Sequence, residues 1–212
     1  MGWNAAMTAA KGAPRFARKP PAERRRLLIE AAIRCLAEGG MSAFTIDRIC
    51  REAGVSRGLI NHHFDGKEAL LLSVYETMTE HIAEMPHAGL AEADPVKRLN
   101  AMIEISFAED VVAQSQLRAW LAVWGEVAAD PRLRALHRKR YEDYSGGLSS
   151  AIAAIAKKRR RKVDAEALAR MLIALIDGLW LEWCLDASLL SAEQAKAACY
   201  DLLEPHLGPI ER

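Results

Sequence analysis

Three short runs, Asp94-Pro95, Asp130-Pro131 and Ser191-Ala-Glu-Gln194, constrain this chain more than any other feature. Each places a side chain able to accept a backbone N–H directly before a residue suited to the first turn of a helix. Proline already holds the helical φ and lacks the N–H that would go unpaired there. A Gln three residues after Ser can return a hydrogen bond to the cap. Between these starts apolar residues recur at intervals of three and four, and no run alternates with the period of two that a half-buried strand needs. The pattern predicts helices over 95–108, 110–128, 131–158, 164–186 and 191–206. Upstream, a helix runs from Pro21 to Glu38 with Leu28, Ala32, Cys35 and Leu36 inward, and Gly39-Gly40 stops it. Asp65 is placed to cap another, carrying Leu70, Leu71, Val74 and Met78. The fold class is all-α.

Charge divides the chain. Residues 1–75 hold 12 Lys/Arg against 7 Asp/Glu, and the remainder 17 against 21, so a net +1 hides +5 followed by −4. A basic first third suggests a polyanionic partner for that part alone. Cys35, Cys50, Cys184 and Cys199 form no CxxC, and each sits in an apolar helical pattern, which suits buried free thiols in a reducing compartment. The opening residues lack the apolar core of a signal peptide. Asp177, Glu182 and Asp186 interrupt the longest apolar stretch, so a soluble, cytoplasmic protein with no membrane partner is expected.

The run Thr45 to Lys67, TIDRICREAGVSRGLINHHFDGK, has the spacing of a helix-turn-helix. Thr45 and Ser56 are candidate N-caps and Gly54 permits the turn. Ile46, Ile49, Cys50 and Ala53 can pack against Val55, Ile60 and Phe64. Arg57, Gly58, Leu59, Asn61 and His62 are then expected to face outward, where Arg suits guanine edges and Asn adenine edges in a major groove. Thr45, His63 and Lys67 stand where helix ends meet phosphates. An ordinary three-helix unit with a solvated face would show the same spacing. Metal binding by the His pair is disfavoured, since adjacent helical positions diverge by about 100° and no ligand sits four residues on.

This run resembles the DNA-binding region of the tetracycline-repressor (TetR) family of bacterial regulators. The resemblance is carried by Thr45, Ala53-Gly54-Val55-Ser56, His63-Phe64 and Lys67 in register. It implies phosphate contacts from Thr45, His63 and Lys67, and base-facing positions at Arg57, Gly58, Leu59 and His62. The family usually has Tyr where this chain has Asn61. Ahead of the run, Arg15, Arg18 and Lys19 belong to an arm that can reach phosphates or a minor groove, or stay solvated.

Four of the five Trp lie in the C-terminal body as Trp120/Trp124 and Trp180/Trp183, each pair on one helix face. Asp177 stands one turn before Trp180, and Tyr141 and Tyr144 add aromatic faces. Rings with a carboxylate are the components of a quaternary ammonium cage. Core filling or a subunit interface would use the same residues. WLAVWGEVAADPRLRALHRKRYEDY and ALIDGLWLEWCLD are similar to the choline-sensing BetI branch of the family, over most of residues 22–205. The resemblance implies an effector site at Trp120, Trp124, Tyr141, Asp177 and Trp180. It also implies a homodimer through residues 131–158 and 164–186. The stripe Leu168, Met171, Leu172, Leu175, Ile176 and Leu179 is wider than a lone helix needs. Lys157 to Lys162 reads as a solvated turn.

No GxSxG, phosphate loop or HExxH is present, so an enzyme is not expected, nor a cofactor or metal. The expectation is a flexible basic arm over 1–20, a three-helix DNA-binding domain over 21–67, and a helical regulatory and dimerisation bundle over 68–212. Its partners would be a palindromic double-stranded DNA operator and a small effector, choline-like or an unrelated apolar compound. Its action would be repression released by that effector. An architectural DNA binder with a purely structural body is the competing class.

Overall fold

The helix signals are realised almost where the sequence puts them. A computed structural model describes residues 20–90, 94–109, 111 and 113–211, with the side chains of 81–90 excepted; the arm residues Arg15, Arg18 and Lys19 lie outside these. Among the described residues there are nine helices and no strand: α1 Pro21–Ala43, α2 Ile46–Ala53, α3 Arg57–His63, α4 Gly66–Leu90, α5 Pro95–Ser106, α6 Gln114–Ala129, α7 Pro131–Lys158, α8 Ala165–Leu185 and α9 Ala192–Leu207. Asp94 accepts from Val96 N at 2.8 Å and Asp130 from Arg132 N at 2.7 Å, each with Pro opening the helix. Ser191 and Gln194 form the reciprocal capping box, at 3.3 and 2.7 Å. Helical geometry in α1 breaks at Gly39 and Gly40, as their lack of side chains allows.

One helix start differs from the expected position. α6 begins at Gln114, four residues later than the sequence pattern suggests, and Gln114 Nε2 donates instead to the Trp183 carbonyl of α8 at 2.7 Å.

Two apolar clusters organise the chain. The first joins α1, α2 and α3 through Leu28, Leu36, Phe44, Ile49 and Ile60, but it also takes Leu70, Val74 and Tyr75 from α4 and Ala119, Trp120 and Val123 from α6. A cut at residue 67 therefore does not divide the packing. The second cluster, led by Leu99, Ile103, Leu148, Ile152, Leu172, Ile176 and Leu203, binds α5, α7, α8 and α9 together. Trp124 touches both.

The α8 stripe divides in two. Leu168, Leu172 and Ile176 are buried within the chain, while Leu175 and Leu179 are half-buried. Met171 instead belongs to a second stripe, Ala167, Met171, Ala174, Gly178, Leu181 and Leu185, spaced alternately by four and three. Of these Met171 is 56% exposed and Leu185 66%.

The basic run 157–162 is not wholly solvated. α7 ends with Arg161 N donating to Ala156 O at 2.9 Å, which swings the following side chains toward α9. Arg159 Nη1 then donates to the carbonyls of Leu207 and Gly208 at 2.9 and 3.1 Å. Arg161 Nη1 reaches those of Pro205 and His206, at 3.3 and 3.4 Å. Cations at the negative end of α9 satisfy carbonyls that the helix itself leaves open.

Candidate functional site

The two turn-linked helices, α2 and α3, present one outward face. Thr45 Oγ1 accepts from Arg48 N at 3.3 Å and starts α2, and Gly54 takes the left-handed conformation (φ 66°) that ends it. Ile49, Cys50, Ile60 and Phe64 are buried, and Ile46, Ala53 and Val55 are half-buried, so the two short helices pack as their spacing predicts. Ser56 occupies the N-cap position of α3, but its hydroxyl makes no cap bond; backbone alone closes the turn, Leu59 N to Ser56 O at 3.0 Å.

Thr45, Ser56, Arg57, Gly58, Asn61 and His62 are exposed on this face. A Cβ on Gly58 would meet no protein atom within 4 Å, so nothing inside the chain requires glycine there. Leu59 differs from expectation. It is half-buried and packs against the first cluster, because a seven-residue helix has too few apolar positions to leave it outside. Arg57 forms an ion pair with Asp47 of α2. Lys67 lies over the Phe44 ring at 5.6 Å, and Arg25 over that of Phe64 at 5.1 Å. His63 is half-buried, and its Nε2 has no hydrogen-bond partner among the described residues. Burial first, then the charges of His62, Arg24 and Arg25, hold its pKa below the ordinary value, which favours a neutral ring with a donor to spare.

The body encloses the other site. Trp120 and Trp124 of α6, Tyr141 of α7, and Asp177 and Trp180 of α8 line one cavity of about 60 Å³ open to the centre of a water-sized sphere. Since one water needs roughly 10–15 Å³ on that measure, the space suits a small organic molecule. The rings stand at angles, Trp120 against Trp124 at 6.1 Å and Tyr75 edge-on to Trp120 at 6.0 Å. Trp180 Nε1 donates to the Ser106 carbonyl at 3.0 Å, fixing that ring. Trp183 packs on the second cluster outside the cavity.

Sequence reasoning missed four polar walls: Tyr75 and Thr79 from α4, and His137 and Arg140 from α7. Tyr75 Oη and His137 Nδ1 lie 2.8 Å apart, and either donates according to the imidazole tautomer. The i,i+4 pair His137/Tyr141, whose rings are 6.1 Å apart, was the one available signal.

Burial alone raises Asp177 to about 6, since no cation offsets it. Burial likewise pushes Tyr75 and Tyr144 up to about 12 and lowers His137. At neutral pH the cavity therefore holds neutral phenols at Tyr75 and Tyr144, a neutral imidazole, the guanidinium of Arg140 and a carboxylate that is ionised at a disadvantage.

A helix-turn-helix head packed through α4 and α6 onto a helical body with an aromatic cavity defines a class, the DNA-binding regulators. Residues 28–74 match the family model for bacterial regulatory proteins of the tetR family, and residues 95–208 that for the C-terminal domain of BetI-type transcriptional repressors. The chain belongs to the TetR family and carries a BetI-type C-terminal domain; it is a transcriptional regulator and not an enzyme. It is 32% identical over 185 residues to the HTH-type transcriptional regulator BetI of Rhizobium meliloti, 87% of this chain and 89% of that one. To the BetI regulator of Pseudomonas aeruginosa it is 33% identical over 188 residues, 87% and 93%. Among solved structures, one described as a transcriptional regulator of Pseudomonas aeruginosa PAO1 superposes with a TM-score of 0.80 at 35% identity, covering 90% of this chain and 93% of that chain. Another, from Saccharomonospora viridis, was solved in complex with choline; it superposes at 0.77 with 27% identity over 90% of this chain and all of that one. No helix among the described residues is long and apolar enough to cross a membrane.

Proposed function

We propose that this regulator is a homodimeric repressor which a small quaternary ammonium compound releases from a palindromic operator. The observation that carries the effector half is the convergence of Trp120, Trp124, Tyr141 and Trp180 with an unpaired, half-buried Asp177 on one cavity. A quaternary ammonium cannot donate a hydrogen bond, so it is held by ring faces and by an opposite charge, and desolvation strengthens both. Choline in the Saccharomonospora viridis relative supports the same chemistry here.

Thr45, Ser56, Arg57, Gly58, Leu59, Asn61, His62, His63 and Lys67 form the DNA-reading surface in this scheme, with Leu59 contributing only its exposed part. The head corresponds to residues 21–67 and the sensing body to 68–212, with α4 serving both. Leu70 and Val74 of α4 pack in the head's cluster, and Tyr75 and Thr79 line the cavity. An effector that favours one position of α4 over another shifts the population of DNA-competent dimers.

The dimer forms through α7 and α8. The four-three spacing of Ala167, Met171, Ala174, Gly178, Leu181 and Leu185 suits a seam between helices, and exposed Gly146, Ser150 and Ala153 of α7 let a partner approach closely. Such a dimer sets two α3 helices about 34–36 Å apart for successive major grooves.

The test is binding to DNA from upstream of the protein's own gene at one ionic strength, with choline, glycine betaine or sodium chloride added. Specific binding weakened at least tenfold by an ammonium compound is expected. Specific binding indifferent to both compounds would remove the effector assignment and keep the regulator.

A further inference from the structure

Arg140 is the cavity wall that a purely cationic effector does not explain. It projects from α7, one residue before Tyr141, and is half-buried. Among the described residues it makes no hydrogen bond or ion pair, and its Nε is enclosed without a partner. A guanidinium keeps its charge at any physiological pH, so this group cannot escape by losing a proton as Asp177 can by gaining one. An enclosed, unpaired N–H of a charged group is costly; the part-buried Arg25 and Arg159 are matched by Ser73 and by backbone carbonyls, whereas Arg140 shares the unpaired state of its Nε with Arg98, which lies outside this cavity.

Asp177 is not its partner. Both line the cavity, yet no hydrogen bond or ion pair joins the two side chains among the described residues. The cavity thus has two unpaired poles, one negative on α8 and one positive on α7, and shares its walls with the aromatic surfaces of Trp120, Trp124 and Tyr141. For a cation such as choline, Arg140 is a charge of the wrong sign in the wall. For a molecule with an ammonium at one end and a carboxylate at the other, both poles are used, and Arg matches a carboxylate with directed N–H donors.

We infer that the effector is a zwitterion, an ammonium carboxylate whose cationic end lies among the rings beside Asp177 and whose carboxylate is taken by Arg140. This rests on the cavity being the effector site, and it narrows the ligand from organic cations to betaine-like molecules. The small volume favours a short spacer between the charges.

The experiment is calorimetric titration of the full-length dimer at pH 8 and constant ionic strength with choline, glycine betaine and 4-(trimethylammonio)butanoate. A zwitterion binding at least tenfold tighter than choline is expected. In Arg140→Gln that advantage should disappear while choline binds as well as before or better; Arg140→Lys should retain part of it. Choline binding as tightly as or tighter than both zwitterions overturns the inference from wild-type protein alone, whether or not the variants fold, and leaves the cation cavity standing. Binding of none of the three overturns the cavity assignment and this inference with it.

Discussion

Arg57 on the head and Asp177 in the body are both charged groups at the centre of a proposed site, and they are held in opposite ways. Arg57 is exposed and ion-paired with Asp47 on the neighbouring helix. Solvent screens that pair, so it contributes little to stability and can be exchanged for another acceptor. Asp177 is half-buried and unpaired among the described residues, and burial, which opposes the charged form, raises its carboxyl to about 6. The head keeps most of its charges in water and is built on a small apolar core; the body holds a carboxylate whose ionisation burial opposes. A reading surface must be ready to meet DNA without rearrangement, whereas a sensing cavity gains from being energetically unsatisfied when empty.

Head and body share a core. Ile60 is fully buried in the cluster that also contains Val74, Trp120 and Val123. Ile60→Ala should destabilise the whole chain by about 2–5 kcal/mol, seen as one cooperative transition at lower denaturant. A separate early transition of the head, with the body unaffected, would show that α4 and α6 do not couple the two.

Asp177→Asn sharpens the contrast. The folded pKa of about 6 exceeds the ordinary 3.8, so the folded chain holds this proton where the unfolded chain has lost it. Ionisation of Asp177 therefore removes stability as pH rises from about 4 through 6. The variant should be more stable than wild type by on the order of 2–3 kcal/mol at pH 8, with the difference vanishing near pH 4. Comparing the two proteins at each pH cancels His137, whose lowered pKa acts in the opposite direction in both. The same variant should lose ammonium binding. A less stable Asp177→Asn protein at pH 8 would mean the carboxylate has a structural partner.

On the head, charge changes should leave folding nearly untouched and alter DNA binding. Arg57→Ala is expected to cost about 1–3 kcal/mol of discrimination between operator and random DNA, while Lys67→Ala weakens both alike and flattens the salt dependence. Equal losses on both DNAs for the two variants would remove the division between base and phosphate roles. The smallest expected effect is in the scaffold. Ser191→Ala removes one half of the α9 capping box, a loss of about 1 kcal/mol at equal pH and salt, with no change in DNA or ligand binding.

Much of this molecule is legible in its amino-acid order. The helix starts at Pro95, Pro131 and Ala192 follow from side chains that satisfy backbone N–H groups within three residues, a purely local matter. The head is nearly as local: Ile49, Gly54 and Ile60 lie within one run whose turn chemistry and burial pattern agree. The five body residues singled out from ring spacing and family resemblance do meet, since α6, α7 and α8 each present one face to the same space.

What the residues alone left open shares one physical cause: it depends on which face of a helix another helix takes. Tyr75 and Thr79 look like ordinary core positions of α4 until α7 and α8 arrive beside them. Arg140 reads as one more basic residue in RKR until packing encloses its Nε. The α8 stripe looks like a single surface, but α7 covers Leu172 and Ile176 and leaves Met171 and Leu185 in the open. Arg159 and Arg161 look solvated until the end of α9 presents four carbonyls to them. Local sequence determined where the helices begin and what the head can present. The tertiary structure decided which charges are enclosed, because burial belongs to the pairing of helices and not to any one of them.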